Sequence, residues 1–146
     1  MMSGPPDVPE LIVRQVHQVC VALPEAYEED AWLGVRWRIR KRTFAHVLMV
    51  ANGGPPVYAT TIQKATGTAG PHCVVTFESE GPELARLRSA PPPYFAPQWR
   101  PTIVGLILGD DVDWAEVGEL LTDSYCVQAP KRLAALVARH SKGPMP

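Results

Sequence analysis

The sequence lacks a strong net charge, a long hydrophobic run and a secretory leader. Its 14 lysines and arginines against 15 acidic residues give a formal charge of −1, so any affinity for a polyanion must come from local charge. No stretch of about 18 apolar residues occurs, so we expect no membrane-spanning helix and no membrane partner. The N-terminus has no basic segment followed by an apolar core, which predicts a cytoplasmic protein.

Cysteine is also scarce. Cys20, Cys73 and Cys126 are odd in number and include no close pair. This pattern is typical of reduced, buried cysteines and not of a disulfide framework. The four histidines show no zinc-site spacing with the cysteines. The sequence therefore predicts no metal site.

The chain contains no motif of a nucleotide-binding loop or a catalytic nucleophile. Gly53 and Gly54 are followed by no lysine in the position of a phosphate loop, and no G-x-G-x-x-G occurs. No serine lies in a nucleophile elbow. The aspartates at 110, 111 and 113 lack the glycine and distal glutamate of a calcium loop, so a turn and a helix cap explain them better. We predict a non-enzymatic protein without a cofactor.

The sequence does contain enough apolar residues for one folded domain. Of its 146 residues 46% are hydrophobic, and its 16 prolines cluster at the two ends and at two connections. We expect a single domain over 1–146, with residues 1–6 and 141–146 as disordered tails, and a monomer or weak dimer.

The most informative stretch is residues 32–51, WLGVRWRIRKRTFAHVLMVA, which predicts a β-hairpin. Apolar and basic residues alternate along its first strand, so one face is apolar and the other carries guanidinium groups. The apolar residues are Val35, Trp37 and Ile39, and the basic ones are Arg36, Arg38 and Arg40. Lys41 and Arg42 continue the charge through the turn, and an apolar return strand follows.

Two interpretations of these arginines stay open. The acidic residues Glu28 and Asp30, on the short strand before the hairpin, share a face and are placed to pair with Arg36 and Arg38 across the strands. Such exposed pairs contribute only about 0.2–1 kcal/mol. In the other interpretation the arginines stay uncompensated and form a surface for a polyanion.

The remaining patterns predict the fold class α+β. We expect two layers, an antiparallel sheet of about five strands flanked by helices, in the order α-β-β-β-(β)-β-α-β-α-α. The connection at 52–71 carries at most one short strand, at 57–62, because VYATTI has strand propensity.

The proline-rich segment 90–101 contains three large aromatic residues, Tyr94, Phe95 and Trp99. Its prolines exclude a regular helix or a central strand. The aromatics either pack on the core, which their large apolar area favours, or form an exposed docking surface.

Several of these pieces, in their order and spacing, resemble the MmcQ/YjbR family of small α/β proteins over roughly residues 8–138. They are Leu23 and Pro24 before the acidic residues, WRI at 37–39, FA at 44–45, YFAP at 94–97 with Trp99, VG at 104–105, DW at 113–114, LL at 120–121, SY at 124–125 and APKRL at 129–133. The resemblance implies an antiparallel sheet flanked by helices and a likeness to double-wing DNA-binding modules. The label of DNA binding in this family rests largely on shape.

The chain departs from the family pattern in two places. Family hairpins often have a glycine at the turn that residues 40–42 fill here with arginine and lysine, which favours an anion contact. The connection at 52–71 is longer than is usual in the family.

Three functions remain open. The first is binding of double-stranded DNA through the basic residues of the hairpin, extended by three more distant ones. The set is Arg36, Arg38, Arg40, Lys41, Arg42, Arg100, Lys131 and Arg132. The second is a chaperone-like protein-interaction or adaptor domain that docks a partner through Tyr94, Phe95 and Trp99. The third is a small-molecule binder, which requires a pocket with converging polar groups.

Overall fold

In the computed structural model, which describes residues 7–51, 53–68 and 70–141, helices pack on one antiparallel sheet. The helices are α1 (Glu10–Cys20), α2 (Pro56–Thr66), α3 (Gly81–Arg88), α4 (Trp114–Gln128) and α5 (Lys131–Ser141). The strands are β1 (Tyr27–Asp30), β2 (Val35–Ile39), β3 (Arg42–Val50), β4 (His72–Glu78), β5 (Tyr94–Phe95) and β6 (Ile103–Ile107). The predicted α+β class is confirmed, with six strands in place of about five. The predicted tails lie outside the described residues, apart from Ser141.

The sheet runs in the order β1-β2-β3-β4-β6-β5, and every neighbouring pair is antiparallel. One face packs against α1, α4 and α5 and forms the main core. Trp37, Tyr125 and Phe44 are its largest fully buried side chains, and the Phe44 and Tyr125 rings meet edge to face at 5.4 Å. None of the helices in the described ranges is both long and apolar enough to cross a bilayer.

Helix α2 corrects the strand predicted at 57–62. Pro56 at its first position pre-sets the helical φ angle, and Gly67 ends the helix at φ 81°, where a glycine is preferred. Tyr58 and Ile62 lie four residues apart on one side and pack on Leu48, Val50, Val74 and Phe95. Tertiary burial of this i, i+4 pair therefore outweighs the strand propensity of VYATTI.

Strand β5 is the sixth strand, which the sequence did not predict. It lies at the sheet edge, where a neighbouring run of prolines is tolerated because one side needs no ladder bonds. The Phe95 ring covers Gly105 of β6 so closely that a Cβ atom built there would lie 2.2 Å from it. Phe95 therefore packs in the core, as its large apolar area favours.

Ser124 of α4 joins the sheet to the helical layer. Its hydroxyl donates to the Phe44 carbonyl at 2.6 Å and accepts from the Glu78 N–H at 2.8 Å, just beyond the Ala45–Phe77 pair that begins the β3–β4 ladder. Ser124 is fully buried. One side chain thus satisfies two backbone groups that water does not reach.

Replacing Ser124 by alanine should lower the free energy of unfolding by about 1–3 kcal/mol, because a buried donor and a buried acceptor lose their partner. Urea denaturation measures this. Ser89→Ala is the matched control, since the Ser89 hydroxyl bonds a carbonyl of its own exposed helix end. Equal effects of the two substitutions would contradict the role given to Ser124.

Candidate functional site

Helix α2 covers only part of the second face of the sheet, and the remainder forms an open groove of about 710 Å³. Its floor consists of side chains from β2, β3 and β4. Its walls are the β1–β2 turn, the start of α2 and the loop before β6. The floor residues include Arg36, Arg38, His46, Thr76 and Glu78, and the walls contribute Trp32, Tyr58, Trp99 and Arg100.

Strand register builds this floor from residues far apart in sequence. Antiparallel pairing aligns one residue from each strand in a row, on a single face of the sheet. Across the strands the row reads Glu29, Arg36, His46, Thr76, Gly105 and Phe95. A carboxylate, a guanidinium, an imidazole and a hydroxyl therefore follow one another across the sheet.

Glu29 pairs with both arginines of the floor through one oxygen. Its Oε1 lies 2.9 Å from Nε of Arg36 and 3.2 Å from Nη1 of Arg38. Hydrogen bonds from Arg38 and Arg36 lower the pKa of this carboxyl below its ordinary value. Arg38 also donates to the Lys41 carbonyl, whereas its Nε is buried without a partner among the described residues.

The structure corrects the predicted partners of these arginines by one residue. Register pairs Glu29 with Arg36, so Glu29 and not Glu28 or Asp30 shares their face. The side chain of Glu28 lies on the other face, where its Oε1 is 2.6 Å from Nδ1 of His17. The alternation of side chains along β1 was predicted correctly. The prediction of which β1 residues face the arginines of β2 was wrong by one position.

Arg40 leaves the alternation and does not line the groove. Its φ angle of 57° lies in the left-handed region, which favours glycine at such a turn. Its Nε lies 3.0 Å from Oε1 of Glu25, on the rim of the hairpin. The hairpin therefore accommodates an arginine where the family resemblance leads one to expect glycine, and an ion pair accompanies it.

The groove brings together five of the eight predicted basic residues. They are Arg36, Arg38, Lys41, Arg42 and Arg100. Glu78 is the one carboxylate among the lining residues, and its nearly buried side chain lies 3.4 Å from Nε of Arg100. Lys41 and Arg42 are exposed and have no carboxylate partner within the described residues. Lys131 and Arg132 lie at the start of α5, away from the groove lining.

Of the predicted docking residues, only Trp99 contributes to the groove. Its side chain is half exposed, and its indole N–H donates to the Tyr58 hydroxyl at 3.1 Å. Phe95 is buried beneath Tyr58, with ring centroids 6.5 Å apart. Tyr94 is half-buried and donates its hydroxyl to Glu116 at 2.7 Å. The three aromatics therefore do not form one exposed surface.

Several groove residues were not predicted from the sequence. Trp32 is 92% exposed on the β1–β2 turn, and Tyr58 lies on the helix that was taken for a strand. The single signal for His46 was its position between apolar neighbours on the return strand. Only the register shows that His46 faces the groove.

His46 ties the β1–β2 turn to the sheet. Its Nε2 lies 2.6 Å from the Leu33 carbonyl. Burial lowers the pKa of the imidazole, and the neighbouring Arg36 charge lowers it further. In the neutral ring, Nε2–H donates to Leu33 and Nδ1 is left as an acceptor.

A family model described as YjbR matches residues 21–127. The chain belongs to the YjbR family. No curated protein and no solved structure matches it. The groove residues of this YjbR domain, from Ala31 to Gln128, lie within the matched range except for Gln128, whereas Lys131 and Arg132 lie beyond it. The resemblance identified from the sequence motifs is thereby confirmed.

The described part of the YjbR domain holds no group of three or more histidine, cysteine or acidic side chains placed to bind a metal ion. What the groove offers instead is hydrogen-bond donors and positive charge beside exposed aromatic rings. Groups of this kind bind anions and flat rings.

The lowered pKa of His46 predicts a pH dependence of stability. The unfolded chain takes up a proton near the ordinary histidine pKa of about 6.5, and the folded protein does so only at lower pH. The stabilisation is therefore present above about pH 6.5 and is lost as pH falls below it. The free energy of unfolding, measured in urea from pH 7.5 to 5.5, should fall more steeply in the wild type than in His46→Gln. Parallel curves would contradict this assignment.

Proposed function

We propose that this YjbR-family domain is a non-enzymatic nucleic-acid-binding protein, which holds the phosphate groups of its ligand in the sheet groove. The observation that carries the proposal is the gathering of five cationic side chains along one groove, where two carboxylates, Glu29 and Glu78, contact three of them. The molecule as a whole has a net charge of −1. A cytoplasmic location and a monomeric or weakly dimeric state are part of this proposal.

The ion pairs on the groove floor reduce its positive charge but do not cancel it. Glu29 is one carboxylate between two guanidinium groups. Arg42 and Lys41, at the hairpin end, have no carboxylate partner in the described ranges. A ligand phosphate can take the place of Glu29, because both present oxygen acceptors to the same N–H donors. The ion pair with Glu29 then competes with the ligand and sets its affinity.

The other two functions find less support. For the adaptor function, the buried position of Phe95 and the hydrogen bond of Tyr94 leave Trp99 as the one exposed residue of the three predicted anchors. For the small-molecule function, a volume of about 710 Å³ falls within the usual range of ligand pockets. A free nucleotide shares the chemistry of a nucleic-acid strand, so the binding test includes one.

The test is the binding of fluorescent 12-nucleotide DNA, as single strand and duplex, and of a mononucleotide, at 20 and 200 mM salt. We expect affinity for DNA to fall steeply with salt, since phosphate contacts release counterions. Arg36→Ala with Arg38→Ala should weaken binding about tenfold at low salt and reduce the salt slope by about 1–2. Fluorescence anisotropy gives both quantities.

Two further variants guard against a folding artefact. Lys41→Ala with Arg42→Ala changes only exposed side chains and should also weaken binding. Arg86→Ala is the neutral control, because Arg86 pairs with Glu83 on α3 and does not line the groove. Absence of binding to every ligand at 20 mM salt would rule out the proposal.

Glu29→Gln should act in the opposite direction. It removes the negative charge that competes with a phosphate for Arg36 and Arg38, so affinity for DNA should rise several-fold. Glu25→Gln is its matched control, since Glu25 pairs with Arg40 outside the groove. If Glu29→Gln weakened binding, the phosphates would not replace that carboxylate.

A further inference from the structure

We infer that the ligand of the groove is a single-stranded nucleic acid, whose unpaired bases stack on Trp32 and Trp99. This inference rests on the proposed function and narrows it. It departs from the duplex ligand that the resemblance to double-wing modules implies.

The depth of the cationic groups favours a single strand. The side chains of Arg36 and Arg38 are only 35% and 20% exposed, because they lie on the groove floor. A duplex carries its phosphates on the outside of a stiff cylinder, so it would contact the rim and leave these guanidinium groups out of reach. A flexible strand can enter the groove and bring its phosphates to the floor.

The length of the groove suits a short stretch of such a strand. Its lining follows β3 from Arg42 to Leu48, which at about 3.4 Å per residue corresponds to roughly 20 Å. Lys41 and Arg42 lie at one end and Trp32 at the other. The positive charge of Lys41 and Arg42 at the hairpin suits phosphates, and the ring of Trp32 at the far end suits a base. The groove therefore fits a few nucleotides.

The two tryptophans are placed as stacking platforms. Trp32 is 92% exposed and Trp99 is 50% exposed. The indole N–H of Trp99 donates a hydrogen bond to the Tyr58 hydroxyl, which fixes the orientation of the ring. An unpaired base stacks on such rings through its flat face, whatever its identity. In a duplex each base already stacks on its neighbouring bases, so its flat face is not available to the tryptophan rings. The arrangement therefore predicts little dependence on base sequence.

Charge also indicates where the strand ends. On the other side of Trp32 lies a second, smaller hollow of about 390 Å³, which is lined by Asp7 and Asp30 and by no cationic residue. Phosphates would be repelled there. Trp32 thus marks the boundary between the basic groove and an acidic surface, so the bound strand stops at this ring.

The experiment compares a 12-nucleotide oligothymidine with a 12-base-pair duplex at the same salt concentration, by anisotropy and by quenching of tryptophan fluorescence. We expect the single strand to bind at least about tenfold more tightly than the duplex. Trp32→Ala should weaken single-strand binding about fivefold or more and remove the part of the quenching that comes from Trp32, with little effect on the duplex. Leu11→Ala, another exposed apolar residue but on α1, is the matched control and should change nothing.

The outcomes separate the two proposals. Equal or tighter binding of the duplex would overturn the single-strand inference and leave nucleic-acid binding intact. Equal weakening of both ligands by Trp32→Ala would overturn the stacking role. A mononucleotide that binds as tightly as the oligothymidine would identify a free nucleotide as the ligand and overturn the inference of a single-stranded ligand. Failure of all three ligands to bind would overturn the proposed function itself.

Trp99→Phe provides a second variant that preserves the fold. It keeps a ring for stacking but removes the hydrogen bond to Tyr58. If Trp99 acts as a platform, this variant should retain most of the single-strand affinity and Trp99→Ala should lose about fivefold or more. Equal losses in the two variants would overturn the stacking role of Trp99.

Discussion

The groove of this YjbR domain depends on two ion pairs that share one carboxylate, since Glu29 contacts the guanidinium groups of both Arg36 and Arg38 on its floor. These pairs keep two partly buried cations oriented without neutralising both. They also bring edge strand β1 and strand β2 into a defined register, since Glu29 lies directly opposite Arg36. A surface that is both structured and still positive results from this arrangement.

The groove exists because the two faces of the sheet are covered unequally. On one face, α1, α4 and α5 bury Trp37, Val47 and Val75 in the main core. On the other, α2 covers only the apolar part around Leu48 and Val74. The uncovered part carries polar side chains, because a sheet face that meets water need not be apolar. Stability thus comes mainly from one face, and part of the other stays open to solvent.

Family membership covers the segments that form this groove but does not determine its ligand. The matched range contains the hairpin, α2 and the loop with Trp99, which together form the groove. Charge and aromatic exposure at specific positions support the proposal of a nucleic-acid ligand, and the shape of the fold does not enter it. A fold alone supports many functions, whereas five gathered cations and two exposed indole rings restrict the ligand chemistry.

Residue patterns along the chain suffice to predict the α+β class, most of the element order, the family and the alternation that puts Arg36 and Arg38 on one face. These follow from local periodicity and from motifs, which do not depend on distant contacts. Helix α2 was missed because its β-branched residues favour a strand until Tyr58 and Ile62 find a sheet to pack on. Strand β5 was missed because two residues at an edge leave almost no periodic signal.

The composition of the site depends instead on contacts between segments that lie far apart in the chain. Register assigned Glu29 to the two arginines and turned His46 and Thr76 toward them. The left-handed φ of Arg40 took that residue out of the groove, although strand alternation had grouped it with Arg36 and Arg38. Register and turn geometry arise from pairing between distant segments, and a one-residue change moves a side chain to the opposite face. Local alternation was therefore enough to place Arg36 and Arg38 on one face, whereas the contacts between distant segments showed which basic residues share a groove and which side chains lie beside them.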